Sequence, residues 1–181
     1  MDAIELLKQD LKNFKAYLLS RISLLGLTHE NFAKKVNISK GEISKILNDN
    51  RQGVSLTSFY LIAVNSGDTI ENARDYIYPH RKFNLKKVKI DTKEKKSTNK
   101  FGLYMKENFD SDTIEYVGGK NSFDIIQQKT GIEEKRLKDI YYKTGAPEPF
   151  EFLLIEKAVG KKPGEMMKDY IEKHLIKKTK D

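Results

Sequence analysis

Two short amphipathic helices separated by only three residues are predicted between residues 26 and 48, and this spacing constrains the fold more than any other feature. A turn of this length cannot let the helices lie antiparallel, so they must cross steeply. Asn37 stands in the turn, where its tolerance of a positive φ would end the first helix. The predicted buried positions recur at helical spacing: Phe32, Ala33 and Val36 in the first helix, and Ile43, Ile46 and Leu47 in the second.

Polar side chains mark where both helices begin. The hydroxyl of Thr28 can accept a hydrogen bond from a free backbone N–H in the first turn of the first helix. Ser39 stands at the corresponding position of the second helix, and Glu42 three residues later completes a predicted capping box. Both caps are needed for folding whether or not the helices bind a ligand.

A helix-turn-helix needs a small residue, a turn former and two core anchors at fixed positions. These positions hold Ala33, Asn37, Ile43 and Ile46. The segment resembles the phage-repressor and Cro type of helix-turn-helix, the Xre-like family, over roughly the first 80 residues. The resemblance implies that the second helix of the pair enters the major groove of DNA. The turn position that usually holds glycine is Asn37 here, a mild departure because asparagine also visits that conformation.

The exposed face of the second helix, residues 40 to 47, would present short or cationic side chains to base edges and phosphates. The start of the preceding helix would bring backbone N–H groups and a positive dipole end to a phosphate. The predicted DNA-binding residues are Thr28, His29, Ser39, Lys40, Gly41, Glu42, Ser44, Lys45, Asn48, Asn50 and Arg51. Two alternatives stay open, because the capping box would already satisfy Glu42 and Lys45 could be a solvated charge.

Further helices flank this pair. Apolar residues at helical spacing predict one long helix over residues 4 to 25, longer than a helix-turn-helix requires. Its extra turns would bury their apolar face on a second domain or on a second subunit. Ser55 and Thr69 begin two more helices, and Pro79 stops the last of them. Residues 1 to 80 are therefore predicted to form a five-helix DNA-binding domain.

The formal net charge of +8 is concentrated in one short segment. Residues 81 to 100 hold nine Lys and Arg against two Asp and Glu, whereas the chain on either side is nearly balanced. Such a block attracts polyanions, although a solvated linker would have the same composition. His80, Arg81 and Lys82 are assigned to a solvated basic cluster at its start.

Residues 81 to 119 are predicted to be this basic linker with a small β element. The alternation of Phe101, Leu103 and Met105 favours a strand, which residues 113 to 117 could pair with as a hairpin. An extended segment is also predicted over residues 83 to 90. The spacing of Phe101, Met105 and Phe109 fits a helix as well, and the hairpin is preferred.

The remainder of the chain repeats its beginning. A gap-free shift of 94 residues aligns matched apolar or turn positions: Phe32 with Ile126, Asn37 with Gly131, Ile43 with Leu137, Ile46 with Ile140, Leu56 with Phe150, Phe59 with Leu153, and residues 75 to 77 with residues 169 to 171. Residues 120 to 181 are therefore predicted to be a second helix-turn-helix-like domain. The predicted fold class is mainly α, with two five-helix-type domains in tandem.

The second copy is less suited to DNA. Its reading helix would open with Glu133 and Glu134, two carboxylates aimed at phosphates, and its small-residue position holds the bulky Gln127. These features favour an auxiliary or assembly role. The basic residues of this region leave DNA binding open: Lys135, Arg136, Lys138 and Lys143.

Other functional classes find little support in the sequence. The chain has no cysteine, and its three histidines lie in different segments without metal-ligand spacing, so no catalytic residue, metal or cofactor is predicted. No apolar run reaches the roughly 20 residues that span a bilayer. A cytoplasmic protein without membrane attachment is expected.

These observations predict a sequence-specific DNA-binding transcriptional regulator, with repression as the favoured mode. It would bind double-stranded DNA as a homodimer or by using both copies. One alternative is an antitoxin or phage-type regulator whose second domain binds a protein partner. The other is a protein-interaction module without DNA binding.

Overall fold

The computed structural model describes residues 2 to 85, 99 to 109 and 122 to 175. Within these residues the chain forms ten α-helices and no strand, which confirms the predicted mainly α class. The helices are α1 Ala3–Leu25, α2 His29–Val36, α3 Lys40–Leu47, α4 Leu56–Asn65, α5 Ile70–Ile77, α6 Lys100–Phe109, α7 Ser122–Thr130, α8 Glu134–Tyr142, α9 Pro149–Ala158 and α10 Glu165–His174.

The chain divides into two compact units. The first comprises Met1–Lys82 and Glu148–Phe150, and the second comprises Phe83–Pro147 and Glu151–Asp181. Helices α1 to α5 belong to the first unit, and α6, α7, α8, α10 and most of α9 belong to the second. The predicted domain bounds of 1 to 80, 81 to 119 and 120 to 181 stay a prediction.

The core of the first unit forms around α4, in which seven of the ten residues are buried. Phe59 and Ile62 of this helix have no exposed surface. Helix α4 packs against α2 and α5, and α1 packs against α5 and α3. Phe14, Tyr17 and Leu18 of α1 are buried almost completely. Helix α3 is thus supported from behind by a rigid apolar core.

A buried carboxylate ties the end of this unit to α1. Asp10 is 2% exposed, and its Oδ1 lies 2.9 Å from His80 Nε2 and accepts a hydrogen bond of 3.1 Å from Arg81 Nε. Burial raises the pKa of Asp10, while Arg81 and His80 act in the opposite direction. The prediction of a solvated cluster is wrong for these two residues, because a buried carboxylate on α1 requires their positive or donor groups.

The predicted strand at residues 101 to 105 is wrong, because this segment lies in α6. Phe101, Tyr104 and Met105 are buried, whereas Leu103 is 47% exposed, so burial follows the helical period. Asn99 begins the helix by accepting a hydrogen bond of 2.9 Å from the Gly102 N–H. The predicted pairing partner, residues 113 to 117, lies outside the described residues. So does most of the predicted extended segment, whose described part, residues 83 to 85, is not a strand.

The helices of the second unit begin and end close to where the 94-residue shift places them. Helices α7, α8 and α10 correspond to α2, α3 and α5 within three residues at each end. Asn37 has a φ of 57° and Gly131 a φ of 68°, so both turns contain a left-handed residue after the first helix. The aligned core residues are buried in both copies: Phe32 and Ile126, Ile43 and Leu137, Ile46 and Ile140, and Ile77 and Ile171.

The gap-free alignment is wrong by one residue across α9. At the end of α4, the Gly67 N–H donates to Val64 O, and at the end of α9 the Gly160 N–H donates to Lys157 O in the same way. Gly160 therefore matches Gly67 and not Ser66. This offset of one residue is visible at the helix ends. The apolar pattern does not show it, because apolar residues occupy neighbouring positions in α9 and match equally well with either shift.

A buried acid in α9 caps α10 from outside that helix. Glu156 has no exposed surface, and its two carboxylate oxygens accept hydrogen bonds from the backbone N–H groups of Gly164 at 2.9 Å and Met167 at 2.7 Å. Burial raises the pKa of Glu156 to about 7, although these backbone donors act to lower it. The start of α10 thus depends on one ionisable side chain.

Glu156 should make the second unit's stability depend on pH. Its ordinary pKa is near 4.5, so between pH 4.5 and 7 the folded state binds more protons than the unfolded state. The free energy of unfolding therefore falls as pH rises through this window, by about 3 kcal/mol from this group. We expect Glu156→Gln to remove this pH-dependent part of the free energy of unfolding. Urea unfolding at several pH values measures it, as a change with pH in the difference between the unfolding free energies of the wild type and the variant.

Glu107→Gln, at an exposed acid of α6 in the same unit, provides the control. Glu165 in α10 is unsuitable, because its charge contributes to the raised pKa of Glu156. If the wild-type-minus-Glu156→Gln difference stays constant from pH 4.5 to 8, the assignment of a raised pKa to Glu156 is wrong.

Candidate nucleic-acid interface

The turn between α2 and α3 holds the two helices at a fixed angle. Asn37 adopts the left-handed conformation, and the Ile38 N–H donates to Ala33 O at 3.0 Å, which ends α2. The side-chain amide of Asn65 in α4 donates to Val36 O at 3.1 Å and satisfies a further carbonyl at this end. Ala33 is 3% exposed, as expected for a small residue where helices approach closely.

Both predicted caps are confirmed, but the capping box is only half formed. Thr28 Oγ1 accepts from the Asn31 N–H at 3.3 Å, and Ser39 Oγ accepts from the Glu42 N–H at 3.1 Å. The Glu42 carboxylate does not complete the box, because it lies against Arg51 and Ser58 instead. The cap of α3 therefore depends on Ser39 alone.

The predicted DNA-binding residues fall into two groups by exposure. Glu42 and Arg51 are half-buried. The other nine are exposed: Thr28, His29, Ser39, Lys40, Gly41, Ser44, Lys45, Asn48 and Asn50. The exposed set runs from the start of α2 along the outer side of α3 and into the following loop. We call this set the α3 face.

The outer side of α3 combines short side chains with lysines. Ile43 and Ile46 are buried on the inner side, which leaves Ser44 and Lys45 directed to the outside between them. Asn48 Nδ2 donates to Ser44 Oγ at 3.1 Å, so these two polar side chains form a pair one helical turn apart. Gly41 adds no side chain, so the helix backbone is accessible at this point.

One acid lies beside the lysines at the start of α3. Glu30 of α2 forms ion pairs with Lys40 at 3.2 Å and Lys34 at 3.3 Å, and these lysines, Lys40 first, hold the pKa of Glu30 below its usual range. All three side chains are exposed, and such pairs are weak and easily exchanged. An open cleft of about 400 Å³ is lined by these three side chains. Lys40 can therefore leave Glu30 for a phosphate at little cost.

Glu42 and Arg51 form an ion pair inside the fold. The Glu42 and Arg51 side chains are 20% and 23% exposed, and Ser58 Oγ of α4 donates to Glu42 Oε1 at 2.9 Å. Arg51 also lies 3.5 Å from the Ser58 hydroxyl. Sequence reasoning missed this group, because a serine in the first turn of α4 gave no signal beyond that of a helix start. Both charges already have partners within the first unit.

The corresponding surface of the second unit holds its cations differently. Arg136 donates two hydrogen bonds to the Glu151 carboxylate, at 2.8 and 2.7 Å, and Lys138 pairs with Glu134 on the same helix. Glu133 precedes α8 but makes no side-chain cap hydrogen bond. The basic residues that left DNA binding open for this copy are thus partly neutralised by neighbouring acids.

No protein-family model, curated protein or solved structure matches the chain. Among the described residues, no group of three or more histidines and carboxylates is arranged to hold a metal ion. None of the described helices has both the length and the apolar character needed to cross a membrane. The proposal for the function of the α3 face therefore depends on the exposure, charges and contacts of its residues.

Replacing Ser39 by alanine should destabilise α3 by about 1 kcal/mol, because the Glu42 N–H would have no side-chain acceptor. Thermal unfolding followed by circular dichroism measures this destabilisation. Ser44→Ala is a matched control on the same helix, since Ser44 is exposed and its oxygen accepts only from the Asn48 side chain among the described hydrogen bonds. Equal stability of the two variants would contradict the role of Ser39 as the cap.

Proposed function

We propose that the protein is a sequence-specific DNA-binding transcriptional regulator that inserts α3 into the major groove. The observation that carries the proposal is the two-sided character of α3. Its inner side is anchored by buried Ile43 and Ile46, and its outer side presents Lys40, Ser44 and Lys45 to the surroundings. The Xre-like resemblance of the first 80 residues points to the same helix.

The dimensions of α3 suit this role. A helix with its side chains is about 10 to 12 Å across and the major groove about 12 Å wide, so one helix fills the groove. Helix α3 has eight residues and would be about 12 Å long, enough to cover about three or four base pairs. A small outer surface at Gly41 and Ser44 would let the backbone come close to the base edges.

The residues around α3 have distinct proposed roles. Lys40 and Lys45 supply only donors, and would contact phosphates or the acceptor atoms of guanine. Ser44 and Asn48 are short polar groups suited to base edges. The start of α2, with Thr28 and His29, would bind a phosphate through backbone N–H groups and the helix dipole. Ser39 and Asn50, at the two ends of α3, would add hydrogen bonds to the DNA backbone.

The second unit is proposed as an auxiliary or assembly unit. The pairing of Arg136 with the half-buried Glu151 supports this role, because this cation already has a partner within the unit. A regulator whose second unit binds a protein partner, as in antitoxin or phage-type systems, is the second candidate function. Recovery of one stoichiometric partner from cells would support that candidate. In either case, occupation of the operator would act sterically, by blocking or redirecting RNA polymerase.

Alanine variants of Lys40, Ser44 and Lys45 test the proposed interface. Removal of a side chain that binds a base should weaken specific binding by about 1 to 3 kcal/mol. Removal of one that binds a phosphate should lower the slope of log K against log salt by about one. Fluorescence anisotropy with a duplex selected from random sequences measures both effects. Lys12→Ala, an exposed lysine of α1, is the matched control.

Unchanged affinity and unchanged sequence preference in all three variants would show that α3 is not the reading helix. Absence of any salt-dependent DNA affinity in the wild-type protein would leave the protein-interaction module as the remaining function.

The selected DNA sites should also be two-fold symmetric. Under the proposal that only the first unit reads DNA, two half-sites require a homodimer, with half-site centres one helical turn, about 34 Å, apart. Sequencing of selected duplexes and light scattering of the free protein test this prediction together. An asymmetric site bound by a monomer would contradict it.

A further inference from the structure

The two units share a side-chain tie between corresponding helices, built from different residue types. In the first unit, Glu42 is the third residue of α3 and bonds to Ser58, the third residue of α4. In the second unit, Arg136 is the third residue of α8 and binds Glu151, the third residue of α9. The tie therefore joins the same two helix positions in both copies, although its chemistry differs.

Arg51 completes the tie only in the first unit. Its guanidinium pairs with the Glu42 carboxylate and lies 3.5 Å from the Ser58 hydroxyl, so that the three side chains form one closed group. The loop between α8 and α9 is shorter than the loop that holds Arg51, and in the second unit Arg136 donates directly to Glu151 at 2.8 and 2.7 Å. A carboxylate that bonds to a serine and an arginine in the first unit thus corresponds to a guanidinium that bonds to a carboxylate in the second.

In the first unit the tie connects the short helix α3 to α4 through Glu42. Helix α3 has only eight residues and two buried isoleucines along its inner side, so a further contact at its edge adds a constraint on rotation about its axis. Glu42 lies at the edge between the inner and outer sides, and Ser58 is 5% exposed on the buried helix α4. A bond between them fixes the rotation of α3, and hence the direction of Ser44 and Lys45.

We propose that Glu42 is a positioning residue for the α3 face, with Ser58 and Arg51 as its partners, and that neither Glu42 nor Arg51 touches DNA. The inference rests on the proposed function and identifies which residues of the sequence-predicted site act indirectly. The exposed residues of α3 then bind bases and phosphates, and the half-buried Glu42 and Arg51 orient them.

Direct binding of DNA by this pair would have different consequences. If Glu42 accepted a hydrogen bond from a cytosine amino group, its removal would change the preferred base at one position of the site. If Arg51 bound a phosphate, its removal would lower the salt slope by about one, while removal of Glu42 would release Arg51 and strengthen binding. Positioning instead weakens binding in both variants and leaves the preferred sequence and the salt slope unchanged.

The experiment compares Glu42→Ala, Arg51→Ala, the double variant and the wild type on the selected duplex, at temperatures where circular dichroism shows each protein fully folded. We expect each single variant to bind about tenfold more weakly. The double variant should bind about as weakly as either single one, because both substitutions break the same tie. Glu71→Ala, an exposed acid on α5, serves as the control and should bind like the wild type.

A transplant of the second unit's pair adds a rescue. The variant with Glu42→Arg, Arg51→Ala and Ser58→Glu places the Arg136–Glu151 arrangement in the first unit, and should recover affinity to within about threefold of the wild type. Every variant is compared at a temperature where it is fully folded. A role of the tie in stability alone would therefore not explain a recovery of DNA affinity.

Several results would overturn the inference while the proposed function stands. These are wild-type affinity or tighter binding for Glu42→Ala, a changed base preference, a reduced salt slope for Arg51→Ala, or additive effects in the double variant. A folded transplant that fails to recover affinity would also count against it. Absence of all DNA binding in the wild-type protein would instead reject the proposed function itself.

Discussion

The position of α3 depends on one left-handed residue. Asn37 reverses the chain after α2 with a φ of 57°, and the N–H of the next residue closes onto Ala33 O, so that α3 begins three residues later in a fixed direction. A right-handed residue at this position would continue α2 and would not redirect the chain. Gly131 performs the same reversal between α7 and α8. The repeated skeleton of the two units follows from this turn and from the buried residues on either side of it.

Charge placement distinguishes two units with the same helix order. In the first, an internal pair of Glu42 and Arg51 leaves Lys40 and Lys45 on the outside, where only the exposed Glu30 competes for Lys40 among the described ion pairs. In the second, Glu134 and Asp139 of α8 lie beside the cations Lys138 and Arg136 of the same helix. Because electrostatic attraction supplies most of the non-specific affinity for DNA, this difference is the reason that DNA reading is proposed for the first unit and not for the second.

The helices and their starts could be predicted from sequence wherever local signals agreed. Thr28, Ser39, Ser55 and Thr69 each precede an apolar pattern of helical period, and each accepts the expected N-cap hydrogen bond. Residues 101 to 105 gave no such agreement. Five residues are too few to separate a period of two from one of 3.6, and the burial of Tyr104, which decided for the helix, depends on its tertiary neighbours.

Long-range polar interactions could not be predicted at all. Asp10 and Arg81 are 71 positions apart, and Glu42 and Ser58 are 16 apart, so neither interaction produces a local pattern. The sequence therefore identified the candidate helix. The division of the candidate residues into an exposed group and the internal pair of Glu42 and Arg51 required the structure. The buried position of Glu156 also required the structure, because the apolar pattern of α9 gives no sign that an acid is buried there.

DNA binding by the α3 face can be followed by an NMR titration of the full ¹⁵N-labelled chain with a short mixed-sequence duplex at low salt. We expect the largest amide shift changes at residues 28 to 29 and 39 to 50, and we expect them to disappear as salt is raised. Changes confined to residues 122 to 175, or no changes at any duplex concentration, would contradict DNA binding by the α3 face.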